Sequence, residues 1–346
     1  MKIYFTYCFF LLFTFCAVAQ NEEKLFEQSY ALLHDMIRNE GNYSFKKAVF
    51  SVENAYFNNK LDTAFVNKEI KTLTHLCQSL IQNRFLAYVE NDKEKVNKWA
   101  SVYSVMCDTI PLVIKDKPYK YIPFGYDFND VFGRNDLANM SVTKLLHTRK
   151  GNCHSLPYLY KILAEELGTT AHLSLAPNHV YIKHQNKKHG WFNTELTSGI
   201  FPNDAWIMAS GFVHLDAITN GVYMKALNNK ESIALVLIDL ANAYKSIYPD
   251  NDGTFELKCA ETALSAYPNF ATALILKAEI HKKQVEKEPD TAKAKLLFTA
   301  LEKEYGHIHK IGYRFMPEAM YMHWLVTLKT EKDKYENKKL NNFSKN

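Results

Sequence analysis

Four residues carry the chemistry that can be read directly from this chain: Cys153 in "GNCHS", His179 in "NHVYIK", and Asn193 and Glu195 in "WFNTELTSG". A thiol acts as a nucleophile in its thiolate form. A neighbouring imidazole creates that form as an imidazolium pair and later protonates the leaving group. The imidazole in turn needs a carboxylate or an amide to hold its tautomer and orientation. Cysteine, then histidine, then acid or amide is a set suited to attack on a carbonyl through a thioester.

Such residues are useful only if secondary structure delivers them to one place. After Cys153, the residues Leu156, Leu159, Tyr160, Leu163 and Leu167 recur at helical spacing and predict a helix with one apolar face. Pro157 has no N–H and is tolerated only in a first turn, so the helix should begin at about Cys153 or His154. Gly168 should end it. The thiol then sits at the positive end of the helix dipole, where a thiolate is favoured.

Farther on, residues 179–184 and 191–196 alternate in polarity around the polar link "QNKKHG", which predicts a β-hairpin. Val180, Ile182, Phe192 and Leu196 are all even-numbered and should share the buried face. The other face would carry His179, Tyr181, Trp191, Asn193 and Glu195. A loop centred near residue 187 sets His179 across from Glu195, or from Asn193 after a shift of two. Trp191 and Tyr181 would flank the site as candidate substrate-binding residues. No cofactor is called for.

The helix-start cysteine, the strand-start histidine and the acid four residues after a tryptophan resemble the transglutaminase-like superfamily, whose fold is related to that of papain. The matching pieces are "GNC", "NHV" and "WFNTELTSG". The resemblance implies an α+β core in which the cysteine helix packs on a small antiparallel sheet. It also implies Cys153 as nucleophile, His179 as general base and then acid, and Glu195 or Asn193 as the orienting group. The family has aspartate in a D-P-T-like context, whereas this chain has Glu195 in "ELT". One oxyanion donor would be the Cys153 backbone N–H, the second coming from the 120s loop or elsewhere.

The flanks read differently. Lys2, the run "FFLLFTFCAVA" and Ala17-Val18-Ala19 predict a secretory leader over 1–19, with cleavage near Ala19 and a secreted or periplasmic mature chain. Residues 20–115 read as a helical region, 116–230 as the transglutaminase-like domain, 231–330 as helical repeats and 331–346 as a polar tail. In the repeats, Leu240, Ala241, Tyr244, Ala263 and Pro268 fall on the small, aromatic and proline positions of tetratricopeptide repeats, which they resemble; this implies a surface for a protein partner. No later segment is long and apolar enough to suggest a membrane span.

A net charge of +5, or +4 without Lys2, is too mild and dispersed to argue for nucleic acid. His172, His179, His184 and His189 lack metal-ligand spacing, with His184 and His189 expected at a solvated turn, so no metal is expected. Cys77 and Cys107 lie in one helical region, compatible with a single bridge. Three functions remain open: a hydrolase or acyltransferase acting on amide bonds of peptides or proteins, an inert domain that binds a protein partner at the cell envelope, and a purely structural envelope protein.

Overall fold

The helical periodicity of the N-terminal region produces four helices: α1 (22–38), α2 (Phe45–Tyr56), α3 (Thr63–Asn83) and α4 (Lys93–Cys107). The computed structural model describes residues 22–335; the expected leader and residues 336–346 of the polar tail lie outside them. Local chemistry sets the helix starts. Ser44 Oγ accepts the Lys47 N–H at the start of α2, and Asp62 Oδ1 accepts the Phe65 N–H at the start of α3.

A hairpin of β1 (Ile110–Ile114) and β2 (Lys117–Tyr121) follows, turning at Lys115 and Asp116 with φ of 50° and 61°. The border expected between 115 and 116 therefore falls inside a tight turn. There is no linker at that point.

β3 (Gly125–Tyr126) pairs in parallel with β4 (Lys150–Gly151), and α5 (Val142–Thr148) lies between them in the chain. The cysteine helix is α6, Ser155–Glu166. It was expected to bury one stripe, yet every residue from Ser155 to Ala164 is buried. Helices α2, α3, α4 and α5 and two strands pack on it. Even Lys161 is enclosed, its ammonium donating to the Ala171 carbonyl at 3.0 Å and pairing with Glu165 at 3.1 Å.

The sheet beyond α6 has the order β5 (His172–Ala176), β6 (His179–Asn186) and β7 (Gly190–Thr194), antiparallel throughout. Two short helices, α7 (Asp204–Ser210) and α8 (Leu215–Thr219), lead to α9 (Asn229–Ile247), α10 (Thr254–Ala266), α11 (Ala271–Lys287) and α12 (Thr291–Lys310), each packed on the one before from α10 onward. Leu240, Ala241 and Ala263 are fully buried, and Tyr244 stacks on Phe255. Small side chains there let the two backbones approach closely. The chain is thus an α+β protein, mostly helical with small sheets. Among the described residues no helix is long and apolar enough to cross a membrane.

The C-terminal segment does not continue the stack outward. Residues 311–317 and α13 (Glu318–Thr330) return to the sheet, where Ile311, Met316, Tyr321, Trp324, Leu325 and Leu328 join one buried cluster with Cys153, Tyr181 and Trp206. Gly312 makes this return possible. Its φ is 95°, and a Cβ there would lie 2.2 Å from the Ala217 backbone nitrogen. A four-residue helix, α14 (Lys332–Tyr335), ends the described chain inside what the sequence suggested was tail.

Gly151, two residues before Cys153, is required for space. A Cβ on it would meet Ser155 Oγ at 2.5 Å and Leu145 Cδ1 at 2.8 Å. Gly151→Ala should therefore destabilise the fold by about 1–3 kcal/mol through overpacking, measured as a lowered urea midpoint with an unchanged slope. A midpoint equal to wild type would contradict this packing.

Candidate active site

Asn152 explains the form of the "GNC" turn. Its Oδ1 accepts the N–H groups of His154 at 3.0 Å and Ser155 at 3.1 Å, satisfying the free donors of the first turn of α6. Its Nδ2 donates to the carbonyls of Val131 and Asn139, both at 3.3 Å, which ties the turn to the preceding loop. Cys153 is held one residue before the N-cap His154, within two residues of the expected helix start.

His154 is fixed in turn. Its Nδ1–H donates to the Met140 carbonyl and its Nε2–H to Asp239 on α9, both at 2.9 Å. Burial opposes its charge, but Asp239 prevails and raises it to about 9.

His179 opens β6 directly after the two-residue turn Pro177-Asn178, where Asn178 takes a left-handed φ of 57°. The β6–β7 register pairs Ile182 with Thr194 and Lys183 with Asn193, two residues farther along than a loop centred at 187 would give, because the loop is centred at 188. Glu195 thus reaches His179 from the turn after the ladder, where it bridges Ile200. His179 Nε2 and Glu195 Oε2 are 2.6 Å apart, and the other carboxylate oxygen accepts the Thr197 N–H at 2.8 Å. Nδ1 is left facing Cys153.

The electrostatics separate Cys153 from the other cysteines. Burial pushes Cys77 up to about 12 and raises Cys107 and Cys259 as well. Cys153 is equally enclosed, and burial again acts to raise it. The hydrogen bond and charge of His179, supported by the Tyr321 hydroxyl and the His154 charge, outweigh that and hold the thiol below its ordinary value. Burial likewise disfavours charge on His179, yet Glu195 and Cys153 raise it to about 10. Glu195 is held low against its own burial by His179 and Thr197. Thiol, imidazole and carboxylate thus stand in line, and the charged form of each is favoured by its neighbour.

Two aromatic residues of α13 complete the site and left no signal in the sequence. The Tyr321 hydroxyl donates to Cys153 Sγ at 3.1 Å and lies 3.3 Å from His179 Nδ1. The Trp324 ring meets the His179 ring edge-on at 4.7 Å. Together they seal the centre: Cys153 is 7% exposed, His179 4% and Tyr321 0%. In "EAMYMHWLV" both aromatics look like ordinary core residues.

The remaining expected residues divide. Tyr181 is buried and stacked parallel to His179 at 6.3 Å, so it belongs to the site wall. Trp191 does not: it pairs with Gln185, six residues along β6 and on the order of 20 Å from His179. There it is 44% exposed and touches His172 edge-on. Asn193 donates to the Pro202 carbonyl and to Asp204, at 3.0 and 2.8 Å, and so anchors the 202–204 turn rather than the imidazole.

Ile182, Phe192 and Leu196 are buried as the parity required, while Val180 is half-buried. The opposite face is covered as well, by α7, α13 and the segments around them. His184 is not at a solvated turn; it is buried in β6, stacked on Trp99 at 4.2 Å and bonded to the Tyr160 hydroxyl at 3.0 Å. Cys77 and Cys107 are unbridged, as are Cys153 and Cys259. Among the described residues no group of three or more His, Cys, Asp or Glu side chains could hold a metal ion.

No family model matches this chain, and no curated protein matches it. A solved structure of menin, whose description concerns the binding site for the Mixed Lineage Leukemia (MLL) protein, is similar at 14% identity and a TM-score of 0.35. The similarity takes in 84% of this chain, which spans 66% of the menin chain.

The pair has a definite pH dependence. His179 is raised from 6.5 to about 10, so its charge stabilises the fold fully below 6.5 and progressively less as pH climbs toward 10. Glu195 is lowered from 4.5, so its contribution is full above 4.5 and is lost as pH falls through the depressed value. Both are complete only between 4.5 and 6.5. Once α13 opens to admit it, iodoacetamide should alkylate Cys153 already at neutral pH. Glu195→Gln should slow that reaction on the order of tenfold, the value of one charge-assisted hydrogen bond. Asn193→Ala should leave the rate near wild type, and the opposite pattern would return the orienting role to Asn193.

Proposed function

We propose that this chain is a transglutaminase-like cysteine enzyme acting on amide bonds of peptides or proteins. The observation that carries the reading is Cys153, the one described cysteine whose thiol is held low despite burial, beside an imidazole fixed by a carboxylate at 2.6 Å. The Cys153 thiolate would attack the amide carbonyl carbon. A C–S bond forms, and the carbonyl π pair moves to oxygen. Collapse restores the carbonyl and breaks the C–N bond, and the amine departs with the proton from His179. Water, deprotonated by His179, then adds to the thioester and expels the thiolate. An amine in place of water gives transfer. Hydrolysis is the favoured outcome, and the route uses no cofactor.

The reading includes export through the 1–19 leader, so mature protein from its native host should begin near Gln20. The tetratricopeptide-like helices would supply a contact for a protein substrate or partner.

A second reading has its own support. Tyr321 and Trp324 close the site, so a substrate reaches Cys153 only if α13 moves. On this reading the domain keeps the fold without the chemistry, and the helical stack binds a partner protein.

The two readings separate in one assay. Purified protein is incubated with dimethylated casein and a fluorescent primary amine, and ammonia, new peptide termini and incorporated label are measured. Wild type should give ammonia or new termini, and Cys153→Ala should give neither. A wild type as silent as Cys153→Ala, with Cys153 alkylating at the rate of an unfolded-chain thiol, would leave the binding reading.

A further inference from the structure

A second tyrosine has its hydroxyl beside the Cys153 sulfur and the Tyr321 hydroxyl. Tyr126 closes β3, and its backbone is fixed against the nucleophile loop: it pairs with Gly151, and the next N–H, of Asp127, donates to the Gly151 carbonyl at 2.7 Å. Its ring packs on Phe128 at 4.8 Å. The hydroxyl oxygen is sealed from solvent and has no hydrogen-bond partner. Its polar neighbours are Cys153 Sγ and the Tyr321 hydroxyl. Burial keeps the phenol protonated well above its ordinary range, so it remains a donor.

A buried hydroxyl without an acceptor costs free energy that a phenylalanine would not, and it calls for an explanation. The two tyrosines differ in a way that supplies one. Tyr321 is aligned on the sulfur itself at 3.1 Å and is satisfied there. Tyr126 lies beside the sulfur but is not aligned on it. When Sγ bonds to a carbonyl carbon, the carbonyl oxygen becomes an oxyanion two bonds from the sulfur. A donor that flanks the sulfur in a dry site is where that oxygen can be received.

We propose that Tyr126 is a catalytic residue whose hydroxyl donates to the oxyanion formed when Cys153 attacks a carbonyl. The assignment rests on the cysteine-enzyme reading, and it places the missing donor in the 120s loop. Ground-state substrate gains little from such a donor; the tetrahedral species gains most.

The test compares two reactions of the same sulfur in the full chain. Alkylation by iodoacetamide displaces iodide and forms no oxyanion. Acylation by p-nitrophenyl acetate forms a C–S bond, pushes an electron pair onto the ester oxygen and then releases p-nitrophenolate. Tyr126→Phe should lower the acylation rate constant on the order of 100-fold while leaving alkylation within about threefold. The melting temperature should hold or rise, because an unpartnered polar atom has been removed. Equal loss in both reactions, or a lowered melting temperature, would make Tyr126 a structural residue and overturn the assignment. Acylation at the wild-type rate would also overturn it. A wild-type Cys153 that alkylates no faster than an unfolded-chain thiol would remove the cysteine reading, and Tyr126 with it.

Discussion

The 2.6 Å contact between His179 and Glu195 is the interaction on which the rest of the site depends. Both groups are almost fully enclosed, and an ionised carboxylate in such a place is stable only if its oxygens are occupied. Here one oxygen takes the imidazole and the other the Thr197 N–H. The need for that pairing accounts for the turn at Pro177-Asn178, which starts β6 on the histidine. It also accounts for the bridge between Glu195 and Ile200, which folds the chain back just past β7. With Nε2 committed to the carboxylate, Nδ1 is left for the sulfur, and the polarity of the thiol follows.

That arrangement draws on the whole length of the described chain. The N-terminal helices α2, α3 and α4 pack on α6, the helix that follows Cys153. On the far side, Asp239 of α9 accepts from both His154 and the Tyr158 hydroxyl, so the helical stack is tied to the residue next to Cys153. Then α13 returns with Tyr321 and Trp324. Contacts around Cys153 and His179 therefore cross the border drawn at residue 230 by texture. The helices beyond it hold the charge balance of the centre as well as any surface they offer to a partner.

Enclosure also makes the chemistry sensitive to small changes. Low local polarity strengthens each hydrogen bond to sulfur, imidazole and carboxylate, and it makes an unmatched group expensive. Cys77, Cys107 and Cys259 mark the baseline: burial without a cationic partner simply suppresses the thiolate. Cys153 differs from them only in what surrounds its sulfur.

Much of the centre was legible in the chain itself, because it depends on local rules. Pro157 and the leucine spacing located the start of α6, and Gly168 its end. Parity in the hairpin put His179 and Glu195 on one face, which holds for every register that keeps Val180, Ile182, Phe192 and Leu196 together on the other. The register itself, the rejection of Asn193 and the displacement of Trp191 were decided by the turn geometry, which a one-residue change in loop centre alters without changing parity. Burial of both hairpin faces, and of all sides of α6, could not be read from periodicity, since periodicity reports one preferred face and not how many neighbours arrive. Tyr126 and Tyr321 lie 27 and 168 residues from Cys153, and nothing local marks either as more than an aromatic core residue. Only the folded chain, by bringing β3 and α13 to the same sulfur, gives those two hydroxyls a chemical meaning.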